Sequence, residues 1–212
     1  MLDKSLPYRN IVMRIPGEAV PFIGEPALPA GYSFRLFQEG DEAAWAAVEA
    51  SVGEFETEAA ARDYFCREYL PYLEELKRRC VFVCAPGGRA VGTATAWFAK
   101  SELGYQASLH WVAVQPEEQG RGLGSAVVRR AMRLFLSTDP GEAVWLHTQT
   151  WSHKAVGMYR SMGFRMLRTG RIALMSNEPE GTVVPPNDFA QALTVLKTIS
   201  PELSAALEAE AE

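Results

Sequence analysis

The sequence predicts a mixed α/β fold, and three observations carry that prediction. Residues 109–114 combine apolar and β-branched side chains on both faces, as does a strand that is buried on both sides. A glycine-rich turn follows, and from residue 123 the apolar side chains recur at helical spacing. Residues 143–150 form a second apolar strand. The succession of strand, helix and strand predicts a parallel, right-handed crossover.

The composition is that of an ordinary globular protein. The 212 residues are 48% hydrophobic and 22% charged, which suits one domain with appendages. The net charge of −5 argues against a nucleic-acid or membrane partner held by bulk charge. No apolar run is long enough to span a bilayer, and Arg14 interrupts the only apolar N-terminal stretch, so we expect no signal peptide.

The three cysteines suggest the compartment. An odd number of cysteines without a disulfide framework suits a reducing environment, and we expect the protein to be cytoplasmic. Cys80 and Cys84 stand four apart in a predicted strand without a nearby histidine. We therefore expect buried thiols at these positions and no metal site.

Proline density separates the beginning of the chain from the rest. Five of the 13 prolines lie in residues 1–30, which we interpret as a proline-rich N-terminal arm, because this density precludes a helix. Residues 10–15 can form one short edge strand within it. Residues 31–176 are predicted to form the main domain.

Residues 177–212 are predicted to form a C-terminal helical tail. Asn187 can cap its first helix, and Ser200 followed by Pro201 can begin a second. The last twelve residues carry acidic side chains and no basic one, so we expect the end of the chain to be frayed.

The main domain alternates predicted strands and helices. Ser152 is expected to cap the helix after the second apolar strand, and Gly163 to end it. The predicted elements are, in order, a strand at 32–37, a helix after Gly40-Asp41, a second helix at 58–70 that continues at an angle beyond Pro71, a hairpin of 80–85 and 90–99, the central strand at 109–114, the helix from 123, the strand at 143–150, a helix at 153–162 and a final pair of strands at 165–168 and 171–175.

The turn after the central strand predicts an anion site. It contains three glycines in five residues, at Gly120, Gly122 and Gly124. Glycine lets the backbone approach a ligand closely, because no Cβ stands in the way. A helix start also offers unpaired N–H groups and the positive end of the helix dipole. Together these features favour a pyrophosphate ligand.

Two common phosphate-binding motifs do not fit this turn. A nucleoside-triphosphate loop needs a Gly-Lys pair, and the chain contains none. A dinucleotide fingerprint needs a third glycine at the position of Ser125. The stretch Gln119-x-x-Gly122-x-Gly124 resembles instead the acyl-CoA pyrophosphate signature, R/Q-x-x-G-x-G/A, of the GNAT superfamily of N-acyltransferases.

A second motif strengthens this resemblance. Ser152, Ala155 and Tyr159 share one helix face, and Gly163 and Phe164 follow. The pattern is similar to N-x-x-A-x-x-x-Y-x-x-x-G-F, the closing motif of the same superfamily, except that Ser152 replaces the asparagine. The resemblance runs from about residue 32 to residue 175 and covers neither the arm nor the tail.

The resemblance implies a central mixed, twisted sheet of six to seven strands flanked by helices, with acetyl-CoA as co-substrate and no metal. The pantetheine arm would lie along the end of the central strand, and the pyrophosphate on backbone N–H groups of the glycine turn. The implied cofactor-binding residues are Val112, Ala113, Val114, Gln119, Gly120, Arg121, Gly122, Leu123, Gly124, Ser125 and Ser152.

The resemblance also implies that an acceptor amine attacks the thioester directly. Tyr159 suits the general acid, because a phenol with a pKa of about 10 can protonate a thiolate whose conjugate acid has a pKa of about 8.5. The alternative is an ordinary amphipathic core tyrosine. His110 is the candidate base, since it would share a strand face with Val112 and Val114. A core histidine, with water as the base, stays open.

Three residues are candidates for the acceptor site. Glu54 and Glu56 could favour a cationic amine, and Trp97 could line the pocket. Solvated loop charges and a core aromatic residue are the competing interpretations. The acceptor is expected to be a small-molecule amine or an amino group of a peptide or protein, and a homodimer is left open. A non-catalytic acyl-CoA sensor that acts on a partner through the arm and tail is the alternative function.

Overall fold

The computed structural model describes residues 2–101, 104–171 and 186–212, with seven strands and seven α-helices among them. The strands are β1 (Asn10–Ile15), β2 (Ser33–Leu36), β3 (Cys80–Cys84), β4 (Ala90–Ser101), β5 (Gly104–Val114), β6 (Val144–Gln149) and β7 (Arg165–Met166). The helices are α1 (Glu42–Ser51), α2 (Glu58–Glu68), α3 (Leu73–Arg79), α4 (Leu123–Thr138), α5 (His153–Ser161), α6 (Phe189–Ile199) and α7 (Pro201–Ala209). The strand predicted at 171–175 lies outside the described residues, apart from Arg171.

The described strands form a mixed sheet in the order β2-β3-β4-β5-β6-β1-β7. The predicted α/β class and the predicted number of strands are therefore confirmed. Within the described ranges, none of the helices combines the length and the apolar character that a bilayer crossing would require.

The chain groups into two compact units. The first unit comprises Gly24–Trp97 and Leu109–Pro140, and it contains helices α1 to α4. The second unit comprises Leu2–Ile23, Phe98–Ser108 and Gly141–Glu212, and it contains helices α5 to α7.

In the first unit, the predicted hairpin is confirmed. Strand β3 pairs antiparallel with both β2 and β4, and all five of its side chains are buried, including the Cys80 and Cys84 thiols. Helix α4 buries one apolar face, as its spacing predicts. On its other face, Arg129 donates to the Gly24 carbonyl oxygen at 3.3 Å.

In the second unit, β1 has the predicted bounds but is not an edge strand. It pairs antiparallel with β6 along its whole length and with β7 at Met13 and Arg14. Ile11, Val12 and Met13 are all buried, although successive side chains point to opposite faces of a strand. Strand β1 is an interior strand because it has a paired neighbour on each side.

The C-terminal tail is helical as predicted, but one cap and its end differ from the prediction. Asp188 rather than Asn187 stands at the start of α6, because the Asn187 carboxamide donates to the Leu167 carbonyl oxygen. The predicted cap of α7 is confirmed, since the Ser200 hydroxyl accepts from the Leu203 N–H at 3.2 Å.

The expectation of a frayed end is wrong. The Glu212 carboxylate lies 2.9 Å from the Arg14 guanidinium, and the Glu212 N–H donates to the Met166 carbonyl oxygen at 3.0 Å. The Glu210 carboxylate is paired with Arg160. The acidic end therefore finds its basic partners in distant parts of the sequence.

A half-buried histidine in the second unit predicts acid sensitivity. His147 Nε2 lies 3.0 Å from Asn10 Oδ1, and burial lowers the pKa of His147 to about 4. The pKa of His147 in the folded state lies below its unfolded value of about 6.5. The neutral imidazole therefore contributes stability to the folded state above pH 6.5, and this contribution is lost as the pH falls towards 4. From pH 7 to pH 5 we expect a loss of at most about 2 kcal/mol in the free energy of unfolding.

Urea unfolding of the wild type and of His147→Gln at both pH values measures this loss. The variant removes the titrating group but keeps a donor for Asn10, so its loss of stability should be smaller by about that amount. An equal loss in both proteins would assign the acid sensitivity to other groups.

Candidate active site

The glycine turn in the first unit is open where a ligand would bind. Gly122 stands at the start of α4 with a φ of +80°, and Gly120 has a φ of +79°. No heavy atom lies within 4 Å of the position that a Cβ would take at either glycine. L-residues other than glycine are strained at such angles, so glycine here serves the backbone conformation. The helix start therefore presents its N–H groups without side-chain cover.

Glu118 stabilises the glycine turn through hydrogen bonds of its side chain. Its buried carboxylate accepts from the Tyr32 hydroxyl at 2.6 Å and from the Arg89 guanidinium at 3.3 Å. Arg121 Nε lies 3.6 Å from the same carboxylate. The two guanidinium groups offset a negative charge that would otherwise oppose an anion at the turn.

Gln119 ties the turn to the preceding strand. Its side-chain amide donates to the Val114 carbonyl oxygen at 2.8 Å. This predicted cofactor-binding residue therefore also fixes the path from β5 to α4. Leu123 is buried below the turn, and Ser125 Oγ lies 3.3 Å from Arg129 Nε.

The end of β5 contains a backbone irregularity that the sequence did not predict. Trp111 has a φ of +47°, which is rare for a large side chain and marks a local break in the strand. Leu109 and His110 are buried, Trp111 and Val112 are half-buried, and the next two residues are buried again. The break at Trp111 stands between His110 and Val112, so simple alternation does not decide whether these two side chains share a face.

Strands β4 and β5 approach each other closely beside this break. A Cβ on Gly92 would stand 3.0 Å from the Ala113 carbonyl oxygen and 3.1 Å from a methyl group of Val114. The Gln115 N–H also donates to the Val91 carbonyl oxygen at 2.8 Å. The position of the predicted pantetheine-binding residues is thus set by backbone contacts.

His110 is buried and held by a tyrosine. Its Nδ1 lies 3.0 Å from the Tyr69 hydroxyl oxygen. Burial raises the pKa of Tyr69, and a hydrogen bond from the Trp111 indole offsets only part of this rise. The phenol therefore stays protonated, and it can either donate to Nδ1 or accept from an Nδ1–H group, depending on the tautomer of the imidazole. Where the phenol donates, the ring proton lies on Nε2; where it accepts, Nε2 has the lone pair that a base requires.

An aromatic cluster surrounds this pair. The rings of Phe55, Tyr64 and Trp111 are mutually in contact, with centroids 5.1–5.4 Å apart, and all three side chains are half-buried. Trp45 lies beneath them, fully buried, at 5.6 Å from Trp111. No motif in the sequence predicts a functional role for these four residues.

The predicted acceptor residues have different surroundings. Glu54 and Glu56 are exposed in the segment between α1 and α2. Trp97 is only 1% exposed and packs 4.9 Å from the Tyr69 ring. It therefore packs against Tyr69 as a buried residue, and its place in an acceptor pocket stays a prediction. Among the described residues, no three His, Cys, Asp or Glu side chains are grouped to hold a metal ion.

Tyr159 belongs to the second unit. It is 6% exposed on α5, and its ring lies edge-on to Phe164 at 5.9 Å. Gly163 follows the helix with a φ of +102°, as its predicted role at the helix end requires. Ser152 stands at the helix start, but its side chain makes no capping hydrogen bond, so its predicted capping role is wrong. The half-buried hydroxyl remains a candidate for contact with the cofactor.

Comparisons with known proteins agree with the motifs. The profile of the acetyltransferase (GNAT) family matches residues 42–164, more than half of the chain. N-alpha-acetyltransferase RimI of Mycobacterium tuberculosis is 35% identical over 83 residues, which are 37% of this chain and 50% of that protein. Mycothiol acetyltransferase of Streptomyces bingchenggensis is 32% identical over 152 residues, 69% of this chain and 47% of that protein. The chain spans about half the length of these curated relatives.

Solved structures share the fold. A GCN5-related N-acetyltransferase from Sphaerobacter thermophilus matches with a TM-score of 0.58 at 20% identity, over 84% of this chain and 55% of that one. A GNAT-family acetyltransferase from Colwellia psychrerythraea matches with a TM-score of 0.56 at 13% identity, over 78% of this chain and 55% of that one. With the two motifs and the family profile, these likenesses lead to one assignment: the chain belongs to the GNAT family of acetyltransferases.

Proposed function

We propose that the protein transfers an acetyl group from acetyl-CoA to the nitrogen of an amine. The observation that carries this proposal is the open, glycine-lined start of α4 at Gly122. Unpaired N–H groups and the helix dipole at such a position favour a pyrophosphate. Membership in the GNAT family supports an acyl-CoA as the molecule that carries it.

The residues of the first unit fit the parts of this co-substrate. Backbone N–H groups from Gly120 to Ser125 would hold the pyrophosphate, and Arg121 adds positive charge beside them. Backbone groups of β5 from Val112 to Val114 would hold the pantetheine arm, as the resemblance implies. These contacts use main-chain groups, so they depend on the shape of the turn and strand more than on particular side chains.

The reaction forms a C–N bond and breaks the C–S bond of the thioester. The neutral amine attacks the carbonyl carbon, and the nitrogen then loses a proton. The thiolate that leaves needs a proton, which we assign to the Tyr159 hydroxyl on the basis of its place in the closing motif. A phenol is neutral at pH 7 and can therefore donate.

His110 stays a candidate base. Its Nδ1 lies 3.0 Å from the Tyr69 hydroxyl oxygen, and the tautomer of the ring decides which of the two groups donates. Nε2 can take a proton from the amine in the tautomer in which Nδ1–H donates to Tyr69. Because this role requires one tautomer, we also consider a second candidate base in the first unit.

A coenzyme A release assay over an amine panel tests the proposal. The panel should contain small primary amines and a peptide with a free α-amino group, since one relative is named an N-alpha-acetyltransferase. We expect release of coenzyme A with at least one amine, and mass spectrometry should find the product heavier by one acetyl group. Binding of acetyl-CoA without turnover of any amine would favour the non-catalytic sensor instead.

A further inference from the structure

Helix α1 carries two buried polar side chains, each with one atom that has no hydrogen-bond partner among the described residues. Trp45 and Glu49 stand four residues apart and are 0% and 1% exposed. Neither Trp45 Nε1 nor Glu49 Oε1 has a partner among the residues that the structure describes. Buried polar atoms are paired in the great majority of cases, so an unpaired donor and acceptor on one helix face indicate a bound molecule.

Helix α1 lies against the part of β5 that contains the backbone break. Val48 and Val52 form a buried cluster with Ala113, and Trp45 packs on Trp111. Glu49 is on the helix turn between these contacts. Besides burial, the Glu49 carboxylate contributes to the raised pKa of both Tyr64 and Tyr69, so it lies beside the aromatic cluster in which Tyr64 contacts Trp111 of β5.

The half-buried rings provide a cation-attracting rim. Phe55, Tyr64 and Trp111 are in contact with one another and partly exposed to solvent. Aromatic faces attract ammonium groups and also pack against aliphatic carbon. The rim thus suits a cation that is attached to an apolar group.

The charges near Glu49 also favour a cation. Burial raises the pKa of the Glu49 carboxyl well above its ordinary value, and the nearby Glu54 carboxylate raises it further. Tyr64 and Tyr69 face the same region, and burial raises the pKa of both phenols. A buried carboxyl with a raised pKa has the affinity for a proton that a general base requires.

We propose that Glu49 binds the acceptor of the reaction inferred above: its carboxylate pairs with the ammonium group of a primary amine and takes one proton from it, which leaves the neutral amine that attacks the thioester. The second proton, which the nitrogen loses after the attack, balances the proton that the leaving thiolate gains. The acceptor's carbon next to the nitrogen lies against Phe55, Tyr64 and Trp111. The substrate class is therefore primary amines with an apolar group beside the cationic nitrogen. This inference rests on the proposed acetyl transfer, but amine binding can be measured without it.

Binding in the absence of acetyl-CoA is the first test. We would titrate the protein with benzylamine and, as a neutral analogue of similar shape, with benzyl alcohol, and follow tryptophan fluorescence. We expect benzylamine to bind the wild type, and Glu49→Gln to weaken this binding at least tenfold while leaving benzyl alcohol unaffected. Glu58→Gln is the matched control, because Glu58 is an exposed carboxylate at the start of α2 and should leave benzylamine binding unchanged.

The folding of the variants is checked by their melting temperatures. A carboxyl without a partner in the core contributes little to stability, so Glu49→Gln is expected to melt no lower than the wild type. If Glu49→Gln does not fold, Glu49→Met keeps a similar volume and takes its place. A folded variant that still binds benzylamine with wild-type affinity would overturn the inference, as would a wild type that does not bind benzylamine.

Steady-state kinetics separate the two proposals. With an amine that is acetylated, Glu49→Gln should raise the KM for the amine and lower kcat at least tenfold, with the KM for acetyl-CoA unchanged. Unchanged amine kinetics would refute the role of Glu49 and leave the acetyl transfer intact. Glu49-dependent benzylamine binding without turnover of any amine would refute the acetyl transfer and leave the amine site intact.

Discussion

Replacement of Gly122 by Asp is expected to reduce the affinity for acetyl-CoA at least a hundredfold. The carboxylate would stand at the helix start that we assign to the pyrophosphate, in a position that is open at present. Two like charges about 4 Å apart repel by about 4 kcal/mol in a partly exposed site, which is more than sufficient for this loss. Isothermal titration with acetyl-CoA measures the affinity.

The control for this substitution is Gly122→Asn. Asparagine has nearly the same shape as aspartate without its charge, and both residues tolerate a positive φ better than other side chains. We expect Gly122→Asn to weaken binding by no more than about tenfold, since the cost is steric alone. Aspartate at a helix start also favours the helix, so a loss of binding in Gly122→Asp would not reflect unfolding. Equal affinities of the two variants would show that no anion binds here.

Tyr159→Phe is expected to lower kcat about a hundredfold or more. A general acid contributes a factor of about 10² to 10⁴, and the substitution removes the hydroxyl while it keeps the ring against Phe164. The KM for acetyl-CoA should change by less than about twofold, because we assign the hydroxyl to the departure of the thiolate rather than to binding. Steady-state coenzyme A release measures both constants.

Tyr105→Phe is the matched control, since this phenol on β5 is 63% exposed and has no assigned role. It should retain wild-type kcat. A Tyr159→Phe enzyme with unchanged kcat would remove Tyr159 from the mechanism, and water would then be the proton donor.

Local patterns in the sequence were sufficient for most of the elements. Helix α4 was predicted from the spacing of its own apolar residues, and the β3–β4 hairpin from the residues of its turn. Both elements are confirmed. The same holds for the start of α7 at Ser200. In each case the interactions that decide the structure join residues a few positions apart.

Features that depend on distant residues were missed. The place of β1 within the sheet depends on pairs such as Asn10 with Gln149. The order at the acidic end depends on Arg14, far from Glu212 in the sequence. The Asn187 carboxamide donates to the Leu167 carbonyl oxygen, and Asp188 stands at the start of α6 instead. No local pattern contains these partners.

The candidate site was predicted in part. The glycine turn could be identified because its spacing is a local pattern, whereas the backbone break at Trp111 has no sequence signal. The sequence does indicate Glu49. It stands one helical turn after Trp45, so it is a carboxylate on the buried face of α1. A charged residue within an apolar stripe is a candidate functional residue, because burial of an unpaired charge is costly.

The central claim is that the backbone at the start of α4 binds the pyrophosphate of an acyl-CoA. Titration of ¹⁵N-labelled protein with coenzyme A, followed by amide chemical shifts, tests it most directly. The account predicts that the largest shifts occur at the amides from Gly120 to Ser125 and that Gly122→Asp abolishes them. Largest shifts in another part of the chain, or none at saturating coenzyme A, would contradict it.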